Sequence, residues 1–177
     1  MSERLNHDCA VRTFKFEDDG ETPNHPKWPA LVYQGVFDPE LVHDVAAAFE
    51  AQYAQFDWGG MWRFGVFDFH HFHSNAHEVL GVARGEADIT LGGKNGETVH
   101  VTAGDALILP AGTGHQNAGS SNDFLVCGAY PPGADKDLIR SGEGDIDHWR
   151  ERIAAVPRPD SDPIFGEDTG LMKHWEG

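Results

Sequence analysis

Residues 70–78 read His-His-Phe-His-Ser-Asn-Ala-His-Glu and contain four of the eleven histidines of the chain. An even distribution would place about half a histidine in a stretch of this length, so the clustering needs a chemical reason. On a β-strand alternate side chains share a face, so His71 and His73 project to one side and His70 to the other. Two imidazoles on one face can converge on one metal ion. The spacing therefore predicts a metal site from which His70 points away.

Glu78 ends this stretch and adds a carboxylate to the imidazoles. A carboxylate beside histidines suits iron, manganese, nickel, cobalt or zinc, so one divalent ion of this group per chain is the expected cofactor. His77 has three open interpretations. It replaces His73 as a ligand, it hydrogen-bonds a ligand, or it faces water.

Short β-prone runs separated by glycines surround the histidines over residues 58–130. Between Leu91 and Thr98, the pair Asn95-Gly96 predicts a hairpin turn with positive φ angles. Five or more short strands at this spacing predict an all-β barrel or sandwich. The clearest predicted strands are residues 79–82, 87–91, 98–102, 106–109 and 124–128.

One strand and two helices are predicted outside this block. Residues 30–34 predict the strand, and Asp38 as N-cap with Pro39 at the first helical position predicts a helix over about 39–54. Residues 146–155 predict a short second helix, and the tail after Val156 is expected to be loop. The expected organisation is one domain: an N-terminal extension (1–57), a β core (58–132) and a C-terminal extension (133–177).

Two spaced patterns in the β core resemble the two sequence motifs of the cupin superfamily. The matching positions are Gly65, His71, His73, Glu78 and Gly85 in the first motif and Gly104, Pro110, Gly112 and His115 in the second. The last Asn of the second motif is absent, because position 119 is Gly119. Residues 62–131 resemble the YjlB-type cupins in particular, and this resemblance covers the central half of the chain most strongly.

The resemblance implies a single jelly-roll β-barrel with one metal ion inside. Together with the predicted helices, this gives one helix before the barrel and one short helix after it. It implies His71, His73 and Glu78 from the first motif and His115 from the second as the metal ligands. The glycines that precede His115 let the backbone turn and aim this imidazole inward. Three histidines and one glutamate leave two positions of an octahedral ion open, which is typical of a catalytic site.

Strand parity also predicts a pocket beside the metal. If residues 63–73 form one unbroken strand, Arg63, Phe67 and Phe69 share the inward face with the ligands. The two phenylalanines would form an apolar wall, and Arg63 could hold a substrate carboxylate. The alternatives are that both rings are barrel core with Arg63 at the rim, or that a β-bulge near Gly65 turns Arg63 to the other face.

The charge balance excludes several partner classes. With 13 Lys+Arg against 29 Asp+Glu, the net charge of −16 disfavours nucleic acid and anionic membranes. No apolar run approaches the ~18 residues that cross a bilayer, and residues 1–8 lack a signal-peptide pattern, so a cytoplasmic protein is expected. Cys9 and Cys127 show no paired spacing.

The leading functional hypothesis is a mononuclear non-haem metal enzyme acting on a small organic molecule. An oxygenase-like reaction is preferred on family analogy alone. The alternatives are a metal-dependent isomerase, lyase or decarboxylase, a non-catalytic cupin that binds a small ligand, and a structural barrel without metal. A homodimer is also expected, with residues 31–34 as an edge or exchanged strand.

Overall fold

Residues 4–177, which the computed structural model describes, form eleven strands and three helices. The strands are β1 (Ala10–Phe14), β2 (Ala30–Gln34), β3 (Gly59–Phe64), β4 (His71–Phe72), β5 (Glu78–Arg84), β6 (Glu86–Leu91), β7 (Glu97–Thr102), β8 (Ala106–Leu109), β9 (His115–Ser120), β10 (Leu125–Tyr130) and β11 (Ile139–Arg140). The helices are α1 (Val45–Gln55), α2 (Ile146–Ala155) and α3 (Leu171–His174).

The strands pair in two antiparallel sheets. Sheet I has the order β1-β2-β8-β5-β10-β3, and sheet II has the order β11-β4-β9-β6-β7. Leu80 and Leu107 of sheet I pack with Ile89 and Val99 of sheet II, so the sheets share one apolar core. This confirms the predicted β-rich architecture with few helices, and the sheets are antiparallel.

The inner strands of sheet I are buried on both faces, which fixes the position of its central strand β5. Side chains alternate along a strand, so Val79 and Ile108 face away from sheet II, while Leu80 faces towards it. The outer face packs against Phe49 of α1 and against Trp175 near the end of the chain. Strands buried on both faces need apolar residues at successive positions, and the sequences of β5 and β8 have them.

The predicted strands of the β core and strand β2 are confirmed, and α2 has the predicted bounds. Helix α1, however, begins at Val45 and not near residue 39. Asp44 is its N-cap, and its carboxylate accepts a hydrogen bond from Ala47 N at 3.0 Å. The Asp38 carboxylate instead accepts from Glu40 N at 2.9 Å in a separate turn.

The β6–β7 hairpin is present, but its turn differs from the predicted one. Gly92 and Gly93, not Asn95 and Gly96, adopt the positive φ angles, at 91° and 88°. The turn therefore occupies five residues, and Gly96 N donates to Gly93 O at 3.0 Å.

Strands β1, β9 and β11 and helix α3 were not predicted, and β1 corrects the expected edge strand. Strand β1 is mostly exposed, so its sequence lacks the apolar alternation of a half-buried strand. Because β1 pairs with β2, residues 31–34 lie inside sheet I, whose edges are β1 and β3. Helix α3 interrupts the tail that was expected to be loop, and Trp175 behind it is buried.

None of the helices found within residues 4–177 has the length and apolar character needed to cross a bilayer. The expected absence of a signal-peptide pattern concerns residues 1–8, the first three of which lie outside the described residues.

Gly81 offers a test of the contact between α1 and β5. A Cβ at this position would lie 2.5 Å from Tyr53 Oη and 2.7 Å from Phe49 Cγ. Tyr53 cannot yield freely, because its hydroxyl donates to Cys127 O at 2.8 Å. We expect Gly81→Ala to lower the free energy of unfolding by about 2 kcal/mol in a denaturant titration.

Gly59→Ala is the matched control, since Gly59 also lies in a strand of sheet I and a Cβ added there would meet no atom of residues 4–177 within 4 Å. Its effect should stay within about 0.5 kcal/mol. Equal losses in both variants would show that the helix–sheet contact is not the cause.

Candidate metal centre

The carboxylate of Glu78 lies in the space between the two sheets. Glu78 is the first residue of β5 and shares the inward parity of Leu80 and Val82. β5 is paired on both sides, by β8 and β10, so its backbone has little freedom to move. Only 3% of the Glu78 side chain is exposed. A carboxylate buried to this degree costs several kcal/mol unless positive charge and hydrogen bonds compensate it.

Two imidazoles face this carboxylate. His73 Nε2 lies 3.3 Å from Glu78 Oε2, and His115 Nε2 lies 3.3 Å from Oε1. One ligand atom from each of the three residues falls within a group whose members are all within 4.8 Å of one another. Within residues 4–177, Glu78 Oε1 nevertheless has no hydrogen-bond partner of acceptable geometry. A cation would complete this arrangement, because it binds carboxylate oxygen and imidazole nitrogen together.

The histidine rings are fixed from behind by the main chain. Each donates from Nδ1 to a carbonyl oxygen: His71 to Phe69 (2.9 Å), His73 to Asp137, and His115 to Thr113 (3.0 Å). A carbonyl can only accept, so Nδ1 carries the proton and Nε2 of the neutral ring keeps its lone pair. Proteins orient metal-binding imidazoles in this way.

His71 lies beside the three-residue group. It pairs with His115 across β4 and β9, and the two ring centroids are 4.0 Å apart. Its ring is 6.1 Å from that of His73 and lines the same cavity. The structure thus brings His73, Glu78 and His115 together and places His71, the fourth predicted ligand, next to them.

His77 has the opposite ring polarity, and its role is different. Its Nδ1 accepts from Ala111 N at 2.9 Å, so its Nε2 carries the proton that is donated to Pro157 O at 2.9 Å. With both nitrogens bonded to the main chain, His77 neither replaces His73 nor hydrogen-bonds a ligand. It does not face water either, because its side chain is almost completely buried. This burial lowers the pKa of His77 to about 4. It holds in place the loop that leads to His115.

The unbroken strand over residues 63–73, which was the condition for the predicted pocket, is not formed. Strand β3 ends at Phe64 and belongs to sheet I, whereas β4 begins at His71 and belongs to sheet II. Arg63 consequently faces outward, where its Nε lies 3.1 Å from Oε2 of Glu50 on α1. It does not line the cavity and cannot hold a substrate there.

The two phenylalanines predicted to share a wall with Arg63 lie in different places. Phe67 lines the cavity, but Phe69 does not and instead lies under the Arg140 guanidinium, at 3.7 Å from its ring centroid. His70 points away from the three-residue group, and its Nδ1 lies 3.0 Å from Gln116 Oε1.

A cavity of about 350 Å³ opens onto the three-residue group. Besides strands of both sheets, it is bordered by Lys136, Asp137 and Leu138, which belong to the segment of residues 131–138, here called the mouth segment. Its apolar lining consists of Trp62, Phe64, Gly65, Val66, Phe67, Leu80 and Leu138, and its further polar lining of Tyr130, Lys136 and Asp137. Sequence reasoning missed Phe64, Tyr130 and the mouth segment, because no local motif marks them.

Burial and mutual charge act in opposite directions within the cluster. Burial raises the pKa of Glu78, but His73 and His115 outweigh it and hold that pKa well below its ordinary value. Burial lowers the pKa of His73, but Glu78 outweighs it and raises that pKa above 6.5. Burial and nearby His115 lower the pKa of His71 to about 3. Without a cation, the ionised Glu78 therefore favours a proton on His73 more strongly than water does on a free imidazole.

A pH dependence of metal affinity follows from this proton. Metal binding must displace it, and the His73 pKa lies above 6.5, so affinity should begin to fall at a pH above 6.5 as the pH is lowered. The decrease should approach about tenfold per pH unit, because one proton competes with one ion. His71, with its pKa of about 3, should add nothing between pH 5 and 8. Zn²⁺ titrations with a competing chelator across this range would measure the profile, and equal affinities at pH 5 and 8 would contradict it.

Comparisons with known proteins agree with the sequence motifs. Residues 65–126 match the family model described as "Cupin domain". The chain is 38% identical over 165 residues to the "Uncharacterized protein YjlB" of Bacillus subtilis (strain 168), covering 93% of this chain and 96% of that protein.

Solved structures with lower similarity include two enzymes. The TDP-fucose-3,4-ketoisomerase WlaRA from Campylobacter jejuni is 14% identical, with a TM-score of 0.43 over 81% of this chain and 94% of that one. Acireductone dioxygenase from Bacillus anthracis is 16% identical, with a TM-score of 0.38 over 72% of this chain and 82% of that one.

Proposed function

This chain belongs to the cupin family and is of the YjlB type, and from this premise we propose that it is a mononuclear non-haem metal enzyme acting on a small organic molecule. One observation carries the proposal: among residues 4–177 a buried carboxylate oxygen of Glu78 has no hydrogen-bond partner, although Nε2 of His115 lies 3.3 Å away. A second nitrogen, on His73, lies at the same distance from the other oxygen. This is a donor set that a divalent cation fits.

In this proposal His73, Glu78 and His115 hold one divalent ion per chain, and His71 joins them as the fourth ligand. Imidazole nitrogens with a single carboxylate oxygen suit iron, manganese, nickel, cobalt or zinc. The bound ion would supply Lewis acidity and, with a redox-active metal, a site for dioxygen chemistry.

The other residues of the cavity position the substrate and limit access by water. The rings of Phe64 and Phe67 and the side chain of Leu80 provide an apolar wall directly beside the ligands. The carbonyl groups bonded to Nδ1 hold each imidazole with its Nε2 directed towards the proposed metal position. The ligand geometry is therefore formed before the substrate binds.

Two of the three polar side chains that line the cavity beside the ligand cluster, Asp137 and Tyr130, are already engaged by other residues, whereas Lys136 at its mouth forms no ion pair within residues 4–177. The Asp137 carboxylate is already bonded to Ser74 N at 2.7 Å and lies 3.4 Å from Arg152 Nη2. Burial raises the pKa of Tyr130 above its ordinary value, and Trp62 Nε1 donates to its hydroxyl at 2.8 Å. The preference for an oxygenase-like reaction over an isomerase, lyase or decarboxylase therefore rests on family analogy alone.

Metal analysis tests the first half of the proposal. Protein purified without chelators or added metal should contain close to one transition-metal ion per chain by inductively coupled plasma mass spectrometry. His73→Ala should lose most of it, because one of two nitrogens facing Glu78 is removed, and Glu78→Gln should weaken binding without changing side-chain shape. His70→Ala is the control and should keep the metal, since His70 points away from the site.

The contrary results are equally specific. Absence of metal even after reconstitution at pH 8 would leave a structural barrel and overturn the proposal. Retention of metal by His73→Ala together with loss by His70→Ala would show that the face assigned to the ligands is wrong.

Oxygen consumption tests the second half. The iron-loaded protein should consume dioxygen with some members of a panel of small acids and phenols. Conversion without oxygen uptake, with a redox-silent metal, would instead support the isomerase, lyase or decarboxylase alternative. Tight ligand binding without any product would support a non-catalytic binding protein.

The expected homodimer and cytoplasmic location stay predictions. Light scattering would test the first, since a homodimer has twice the 19.4 kDa mass of the chain. A mass equal to that of one chain at micromolar concentration would contradict it.

A further inference from the structure

Lys136 stands at the mouth of the cavity. It lies on the mouth segment, its side chain is exposed, and no other lysine or arginine of residues 4–177 lines this cavity. Its Nζ is 4.6 Å from the ring centroid of Tyr130 and 6.0 Å from that of Trp62. The two rings attract the ammonium group and direct it over the entrance.

Within the part of the chain that the structure describes, no carboxylate neutralises the charge of Lys136. None of the ion pairs found among residues 4–177 includes it. The adjacent Asp137 carboxylate is engaged by Ser74 and Arg152 instead. A positive group in this position at the entrance of a cavity is available to an anion.

The positive charge and the metal centre are separated by the length of a small molecule. The Tyr130 ring centroid is 6.0 Å from that of His73, so Lys136 Nζ lies within about 11 Å of the His73 ring. The surface between them is apolar and accessible, with Phe64, Phe67 and Leu138 exposed by 64%, 42% and 48%. Apolar side chains exposed together at a cavity mouth are typical of a ligand-binding surface.

We infer that the substrate is a small carboxylic acid with an apolar, ring-sized body, and that its carboxylate binds Lys136. The body would lie against Phe64, Phe67 and Leu138, with its far end at the metal centre. The inference rests on the proposed function, because the reacting end is placed at the proposed metal site. Lys136 thereby takes the role that sequence reasoning gave to Arg63.

The overall charge favours a local cation at the cavity mouth. A chain with a net charge of −16 repels anions at long range, so an anionic substrate needs a local positive group to be retained. The apolar body of the ligand contributes binding affinity by packing against the aromatic wall. The ion pair with Lys136 makes the protein bind an acid more tightly than its uncharged analogue.

Benzoate and benzamide are suitable probes, because they share shape and differ in charge. Titrated into the Zn²⁺-loaded protein by calorimetry or ligand-observed NMR, benzoate should bind about tenfold more tightly than benzamide. Lys136→Met keeps an unbranched apolar side chain and removes the charge, so it should abolish this preference, and Lys136→Arg should restore most of it. Lys94→Met, which removes an exposed charge outside the cavity, is the control and should keep the preference.

Three results would overturn the inference. The first is unchanged benzoate affinity in Lys136→Met, which would mean that the carboxylate binds the metal directly. The second is an equal loss in Lys94→Met, which would reveal a general effect of net charge. The third is absence of benzoate binding to the wild-type protein.

Failure of the proposed function is recognised separately. Metal content is measured on the same samples, so a chain that takes up no metal would disprove the enzyme proposal. The preference for benzoate, and its loss in Lys136→Met, would still be measurable in that metal-free protein, because Lys136 is not part of the ligand cluster.

Discussion

The burial of an ionised carboxylate between two β-sheets is the constraint on which the rest of the site depends. Glu78 cannot withdraw to solvent, because β5 is paired on both sides and packed on both faces. Its charge therefore has to be compensated where it lies. His73 and His115 supply the compensation from two different parts of the chain, and the apolar cavity follows from the need to keep competing water away from them.

Hydrogen bonds to the main chain determine which nitrogen of each imidazole is free to bind a metal. The rings nearest Glu78 all use Nδ1 as donor, which leaves Nε2 for the centre, while His77 uses Nδ1 as acceptor and has no free nitrogen. His71, His73 and His77 thus divide into distinct roles through their backbone hydrogen bonds, whereas His70 is bonded to the Gln116 side chain. Residue type gives the chemistry, and the local path of the chain determines which of these rings could bind a metal.

Much of the fold was predictable from the sequence, because alternation and turn residues are local signals. The bounds of β2 and α2, the strands of the β core and the outward direction of His70 all follow from such signals. The position of Arg63 could not be predicted in this way. The chain passes from sheet I to sheet II within residues 65–70, so the alternation of side chains along one strand is interrupted there. The place where a chain passes from one sheet to another is set by tertiary structure and leaves no periodic pattern in the sequence.

The cavity wall was less predictable than the group of His73, Glu78 and His115 for a related reason. Tyr130 and Lys136 lie more than fifty residues after His73 in sequence and reach the site only because β10 crosses sheet I beside β5.

The mouth segment is hydrogen-bonded to the ring of His73, one of the proposed metal ligands. His73 donates to Asp137 O, and the residues after His73 bond the same segment, with Ser74 N 2.7 Å from the Asp137 carboxylate and Asn75 Oδ1 accepting from Asp137 N at 2.9 Å. Displacement of the segment would therefore strain or release the imidazole. Occupancy of the mouth and occupancy of the metal position should be thermodynamically coupled, each altering the affinity of the other by the same factor.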